Sequence, residues 1–142
     1  MPTVWEWIGI GLLIFITGIL TDVFLIEKHF IKTKRFYITP ATKKSNNIKI
    51  VQISDLHLRS INYQLEGLIK KVNKLQPDLI IITGDAIDDE ENIGLLNDFL
   101  QRIDKNIQKA AILGNWEYQG KVNLRELNSV YANNICTLLI NQ

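Results

Sequence analysis

The chain has 142 residues, a formal net charge of +1, 46% hydrophobic residues and 22% charged residues. This composition is typical of folded proteins, and it excludes disordered chains, collagen-like chains and basic nucleic-acid-binding tails. The single cysteine, Cys136, cannot form an internal disulfide, so the sequence is not that of a disulfide-stapled scaffold.

The first predicted element is an apolar segment, residues 1–27, whose first 26 residues carry only Glu6 and Asp22 as charges. A helix of roughly 20 apolar residues can cross a bilayer, and Trp5 and Trp7 suit a membrane interface. We therefore expect a single-pass transmembrane anchor. A cleaved signal peptide is the nearest alternative, although its basic start is missing. A buried soluble helix is the other, and it would need a larger core than this chain supplies.

A basic linker is predicted next, over residues 28–47, because six Lys and Arg occur there: Lys28, Lys32, Lys34, Arg35, Lys43 and Lys44. Since Lys and Arg mark the cytoplasmic flank of an anchor, we expect a membrane protein whose globular part faces the cytoplasm. The same basic residues also fit a solvated linker, or one that rests on anionic lipid. Both readings are compatible with this topology.

Residues 48–142 alternate short apolar runs with amphipathic windows, which predicts an α/β domain with βα units around a parallel sheet. The predicted strands are 48–54, 79–83, 110–113 and 137–140, and the predicted helices are 63–75, 92–103 and 124–131. This region holds ten Lys and Arg against twelve Asp and Glu. The resulting net charge of −2 provides no basic surface for phosphate groups, so we expect no nucleic-acid partner.

Polar residues follow the first three predicted strands. Asp55 and His57 follow the first, Asp85 the second and Asn115 the third. Because the carboxyl ends of parallel strands meet at one edge, these side chains are expected to converge. Each residue alone would more often be a turn, a cap or a core residue. Together they form a mixed oxygen and nitrogen set that suits Mn, Fe or Zn.

The blocks ISDLHL, GDAID and GNWE resemble the D-x-H, G-D-x-x-D and G-N-H-(D/E) blocks of calcineurin-like metallophosphoesterases. The resemblance covers about residues 48–140 and is strongest to membrane-anchored bacterial members. It implies a β-sandwich flanked by helices and two divalent metal ions. Asp55 and His57 would bind the first ion, Asp85 would bridge both and Asn115 would bind the second. The implied reaction is hydrolysis of a phosphate ester by a metal-activated water.

Four further residues are candidates at the site. Asp88 is expected either to support the metal ligands or to be a solvated member of an acidic run, and Arg59 either to contact a substrate phosphate or to be solvated. Trp116 stands where the family usually has a catalytic His, and indole cannot transfer that proton. It would stack on a base, pack against an acyl chain or join the core. Glu117 closes the GNWE block and is a candidate to support the ligands or contact the substrate.

The family's C-terminal half, with an isolated His and a G-H-x-H block, supplies further metal ligands, so we expect this chain to be an N-terminal portion. Such a portion should expose a sheet edge and fold poorly. The expected function is hydrolysis of a phosphodiester or pyrophosphate bond, with a membrane-associated lipid or nucleotide-lipid as substrate. Some family members cleave the pyrophosphate of UDP-diacylglucosamine. The alternative is a catalytically inactive, membrane-tethered module. The sequence carries no signal for an oligomeric state.

Overall fold

A computed structural model describes residues 3–21, 33–37 and 48–140. The chain divides into two compact units, Met1–Ile38 and Thr39–Gln142. Most of the predicted basic linker lies outside the described residues; its described part, 33–37, is exposed.

The helix of the first unit, α1, covers Val4–Thr21. Its 18 residues correspond to a length of about 27 Å, and Glu6 lies in its first turn. Within the described parts of the chain, no helix combines the length and the apolar character that a membrane crossing requires. The transmembrane anchor predicted over residues 1–27 is therefore not confirmed. Residues 1–2 and 22–27 of that prediction lie outside the described residues.

The second unit is an α/β domain whose strands form one parallel sheet in the order β1-β2-β3-β4. This agrees with the predicted fold class. A second sheet, which the implied β-sandwich would need, is not among the described residues. The elements are β1 Ile50–Ile53, α2 Tyr63–Leu75, β2 Leu79–Thr83, a 3-10 turn Glu90–Asn92, α3 Ile93–Gln101, β3 Gln108–Ile112, α4 Asn115–Gln119, α5 Leu124–Asn133 and β4 Cys136–Leu139.

The bounds of α2 follow from local signals at both of its ends. At the start, the Asn62 side chain accepts hydrogen bonds from the backbone amides of Gln64 and Leu65, as an N-cap residue does. At the end, Gln76 adopts a left-handed conformation directly before Pro77, which cannot continue a helix. The buried face of α2 consists of Leu65, Ile69 and Val72.

The sheet has one covered face and one open face. Since parallel crossovers are right-handed, a sheet that adds its strands in sequence order carries its connecting helices on one side. Burial alternates along the strands accordingly: Ile80 and Ile82 in β2 are fully buried, whereas Ile112 in β3 and Leu139 in β4 are 42% and 57% exposed. The loops that leave the carboxyl ends of the strands therefore lie along one edge, above a packed core.

Candidate metal centre

The loops that follow β1 and β2 bring three predicted ligands together. One ligand atom each from Asp55, His57 and Asp85 lies within 4.8 Å of the other two. Within the described ranges, no other group of three or more His, Cys, Asp or Glu residues is arranged in this way. Asp55 is exposed, and the other two side chains are half-buried. The predicted convergence at the carboxyl edge of the sheet is thus present for three of the four predicted ligands.

All three candidate ligands adopt backbone conformations that side-chain-bearing residues rarely occupy. The φ angles are 55° at Asp55, 43° at His57 and 54° at Asp85. Such conformations cost free energy and persist where the surrounding structure fixes them. Here hydrogen bonds between the two loops do so: the His57 amide donates to the Asp85 carbonyl at 3.0 Å, and the Leu58 amide donates to the Ala86 carbonyl at 2.9 Å. The ligands are therefore held in place before any cation binds.

The loop after β3 carries the fourth predicted ligand, Asn115, which is the first residue of α4. Both of its neighbours contact Asp85. The Trp116 amide donates to Oδ1 of Asp85 at 3.0 Å. At Gly114 an added Cβ would lie 2.2 Å from the same oxygen, so a glycine is required there. The third loop is thus packed against the Asp85 carboxylate, with Asn115 between the two contacting residues.

Glu117 joins the second and third loops. Its side chain is 1% exposed, and its carboxylate accepts hydrogen bonds from the backbone amides of Asp85 at 3.1 Å, Ala86 at 2.6 Å and Gly114 at 2.8 Å. A substrate contact, one of the two roles predicted for Glu117, is wrong because the carboxylate is buried and bound to amides. The sequence signal for the observed role is its position as the third residue of α4, from which a Glu reaches back to the amide of the N-cap residue.

Asp88 bonds to the candidate ligand His57 and to Arg59. Its side chain is 9% exposed, so the prediction of a solvated aspartate is wrong. Its Oδ1 forms a hydrogen bond with Nδ1 of His57, and its Oδ2 accepts from Nε and Nη2 of Arg59 at 3.1 and 2.8 Å. Burial raises the pKa of Asp88, but the hydrogen bonds from His57 and Arg59 outweigh it, and the pKa lies below its usual value.

Arg59 and Trp116 lie at the exposed side of the site. The Arg59 side chain is 77% exposed, and its described partner is Asp88. The indole of Trp116 meets the imidazole of His57 edge to face, with ring centroids 5.6 Å apart and an interplanar angle of 85°. Because Trp116 is 41% exposed, the prediction that it joins the core is wrong. An indole without an acidic or basic group cannot supply a proton here.

The donor set fits a divalent cation. Two carboxylates and one imidazole within 4.8 Å provide hard oxygen ligands and a borderline nitrogen ligand, as Mn, Fe and Zn prefer. In the neutral imidazole only one ring nitrogen has a free lone pair, and Nδ1 of His57 is engaged by Asp88. Nε2 is therefore the atom available to a metal.

Comparison with known proteins assigns the same segment to one family. Residues 48–139 match the family model of the calcineurin-like phosphoesterases. An uncharacterized metallophosphoesterase of Aquifex aeolicus is 30% identical over 108 residues, which cover 73% of this chain and 41% of the relative. The uncharacterized metallophosphoesterase YkoQ of Bacillus subtilis is 35% identical over 108 residues, covering 72% of this chain and 38% of the relative.

A further relative has a named activity. The UDP-2,3-diacylglucosamine pyrophosphatase LpxG of Chlamydia muridarum is 33% identical over 108 residues, which cover 61% of this chain and 33% of that protein. The chain thus spans between a third and about two fifths of the length of these three relatives.

Proposed function

Because the chain belongs to the calcineurin-like phosphoesterase family, a class of phosphoric ester hydrolases, we propose that it provides part of the active site of a metal-dependent hydrolase. The reaction is hydrolysis of a phosphodiester or pyrophosphate bond. The observation that carries the proposal is the cluster of Asp55, His57 and Asp85 at the carboxyl edge of the sheet. Two cations are proposed, which Asp55, His57, Asp85 and Asn115 would hold, with Asp85 as the ligand that both would share and Asn115 as a ligand of the second.

The residues of this chain have distinct tasks in that reaction. When bound, divalent cations polarise phosphoryl oxygens and lower the pKa of water at the site. The carboxylates of Asp55 and Asp85 balance part of the cation charge, whereas the amide of Asn115 adds an oxygen ligand without adding charge. Glu117 and the backbone bonds between the loops keep this geometry fixed, so that little reorganisation is needed during turnover.

Trp116 supports the choice of a pyrophosphate bond. Its indole lies beside His57 and is 41% exposed, so this position offers a stacking surface but no proton donor. General acid catalysis typically contributes about 10²- to 10⁴-fold in rate, and a leaving group that is itself a phosphate needs it least. The named activity of the Chlamydia relative, a UDP-2,3-diacylglucosamine pyrophosphatase, concerns the same bond type. We propose a nucleotide-lipid or related amphipathic pyrophosphate as substrate.

Hydrolysis of a chromogenic phosphodiester and of a nucleotide diphosphate ester with added Mn²⁺ tests the proposal. Asp85→Asn removes a charged ligand and should abolish Mn²⁺-dependent turnover and weaken Mn²⁺ binding in calorimetry. Asp98→Asn is the matched control, because Asp98 is an exposed residue of α3 whose described ion-pair partner is Arg102. It should leave both quantities unchanged.

The same assay separates the proposal from its rival. Equal activity in wild type and Asp85→Asn would exclude a role for the cluster in hydrolysis. If the metal-loaded wild type binds Mn²⁺ but hydrolyses none of the substrates, also when expressed from its longest open reading frame, an inactive binding module becomes the better description. Faster turnover of soluble nucleotides than of lipid-linked ones would contradict the proposed amphipathic substrate.

Membrane attachment through residues 1–27, with the domain on the cytoplasmic side, is a proposal that the sequence supports through its apolar start and basic linker. Alkaline carbonate extraction of cell membranes tests it. The full chain should stay in the pellet, and a chain without residues 1–27 should be released. Release of both would contradict the proposal.

A further inference from the structure

Three side chains connect the surface to the ligand cluster in the order Arg59, Asp88, His57. We propose that Arg59 and Asp88 are positioning residues that hold the His57 imidazole with its proton on Nδ1 and thereby present the Nε2 lone pair to a divalent cation. This inference rests on the proposed function, which it extends from the ligands to the residues that orient one of them.

The tautomer follows from the hydrogen-bonding capacity of each group. Oδ2 of Asp88 already accepts two hydrogen bonds from the guanidinium of Arg59, which is always charged and only donates. An ionised carboxylate has acceptors only, so its contact with Nδ1 of His57 requires the imidazole to donate. A neutral imidazole with its proton on Nδ1 has its lone pair on Nε2, the form in which a histidine binds a metal through that nitrogen.

The orientation of the imidazole is constrained from a second side. Trp116 meets the ring edge to face at a centroid distance of 5.6 Å, and the His57 amide is bonded to the Asp85 carbonyl at 3.0 Å. Rotation of the ring about its axis would break the bond to Asp88 and leave a carboxylate that is 9% exposed without that partner. The bond to Asp88 therefore selects one ring orientation as well as one tautomer.

The contribution of Arg59 differs from that of an ordinary surface ion pair. Although its own side chain is 77% exposed, it bonds a carboxylate that is nearly buried and that also bonds a ligand. The ion pair of Arg102 with Glu66, at 2.6 Å, has both side chains 43% exposed and no metal ligand in it. Arg102 thus provides a matched control for Arg59, and Asp98, its second partner, a matched control for Asp88.

The first measurement uses the metal-free full chain. Nitrogen-15 NMR of the imidazole at pH 8 distinguishes a proton on Nδ1 from a proton on Nε2, and a His29→Gln background leaves His57 as the only histidine. We expect the Nδ1-protonated form in wild type, Asp98→Ala and Arg102→Gln. In Asp88→Ala the proton should move predominantly to Nε2. Arg59→Gln should give a mixture, and Arg59→Lys should restore most of the wild-type signal.

The second measurement is the affinity for Mn²⁺ alone, by calorimetry on the same variants. Loss of a residue that orients a metal-binding histidine typically weakens metal binding by about 10- to 100-fold, which we expect for Asp88→Ala. Arg59→Gln should weaken it by a smaller factor. Both control variants should bind as the wild type does. Thermal unfolding of each metal-free variant separates a loss of positioning from a loss of folding.

Three outcomes would overturn the inference: an Nδ1-protonated His57 in Asp88→Ala, an Arg59→Gln variant that matches Arg102→Gln in both measurements, or an Asp88→Ala variant that binds Mn²⁺ as the wild type does. If the wild-type chain shows the expected tautomer but binds no Mn²⁺, the proposed metal-dependent function is contradicted. The orientation of His57 by Asp88 and Arg59 would then not serve metal binding. Wild-type Mn²⁺ binding that Asp88→Ala leaves unchanged contradicts the inference alone.

Discussion

At the scale of single residues, the most constrained side chain near the site is Glu117. It is 1% exposed and bonded to the backbone amides of Asp85, Ala86 and Gly114. Hydrogen bonds to an ionised group are stronger than those between neutral groups, and leaving a buried amide unpaired is costly. One carboxylate thus fixes the backbone of two separate loops, including that of the candidate ligand Asp85.

We expect Glu117→Gln to lower the free energy of unfolding by about 2–3 kcal/mol, because the side-chain NH₂ would face backbone N–H groups and leave one of them unpaired. Urea denaturation followed by circular dichroism measures the change. The exposed Glu126, in the first turn of α5, is the matched control, and Glu126→Gln should change the stability by no more than about 0.5 kcal/mol. Equal effects of the two variants would refute the role given to Glu117.

Cys136 provides a prediction with a pH dependence. Burial raises the pKa of its thiol to about 11 from 9.0, and the positive charge of Lys109 only partly opposes this. At pH 8 the folded chain should hold about 100-fold less thiolate than the unfolded chain and react correspondingly slowly with a disulfide reagent. The matching stability contribution is full below pH 9 and is lost as the pH rises through 11.

The rate at which Cys136 reacts with the disulfide reagent at pH 8 is measured in buffer, where the chain is folded, and in 8 M urea, where it is unfolded. Similar rates in both would mean that the Cys136 thiol is accessible in the folded chain, contrary to its 4% exposure.

At the scale of elements, two glycines show how position decides the role of the residue. Gly67 lies inside α2, where an added Cβ would meet nothing within 4 Å. Gly114 precedes α4, where an added Cβ would lie 2.2 Å from Oδ1 of Asp85. Gly67 lowers the stability of the helix, whereas Gly114 permits the close approach of the third loop to the site.

Gly67→Ala should therefore raise the free energy of unfolding by about 0.5–1 kcal/mol, since alanine loses less backbone entropy in a helix. Gly114→Ala should lower it and weaken Mn²⁺ binding, because the new methyl group displaces the Asp85 carboxylate. Chemical denaturation and calorimetry on the two variants provide the comparison. A destabilised Gly67→Ala, or a Gly114→Ala with wild-type Mn²⁺ affinity, would contradict this account.

At the scale of the whole molecule, the sheet ends in β1 on one side and β4 on the other. β4 carries Leu139, which is 57% exposed, beside the similarly exposed Ile140 and Ile135. An edge strand with exposed apolar side chains can pair with the edge of another chain. Because β4 is an edge strand with exposed apolar side chains, self-association is the expected consequence.

Leu139→Lys should reduce self-association, measured as the concentration dependence of the mass in light scattering, because a lysine on an edge strand disfavours pairing between chains. Gln101→Lys adds the same charge at an exposed position at the end of α3 and is the control. If both variants reduce association equally, net charge rather than the strand edge is responsible.

Local signals in the sequence were enough to predict several secondary-structure elements. The bounds of α2 and β2 agree with the prediction, since Asn62 and Pro77 mark the ends of the helix and the run LIIIT is continuous and apolar. The first strand is shorter than predicted. The five-residue α4 was not predicted, because it is too short to show a helical period.

By itself, the sequence determined the α/β class, the family and the presence of Asp55, His57 and Asp85 at strand ends, because motif spacing and hydrophobic period are local properties of the chain. Only the tertiary structure decided that Asp88 bonds His57 and that Glu117 bonds the Asp85 loop. These contacts join residues 31 or more positions apart. These contacts depend on which strands are neighbours in the sheet and on which side of it the helices cross. Neither property can be predicted from a local sequence pattern.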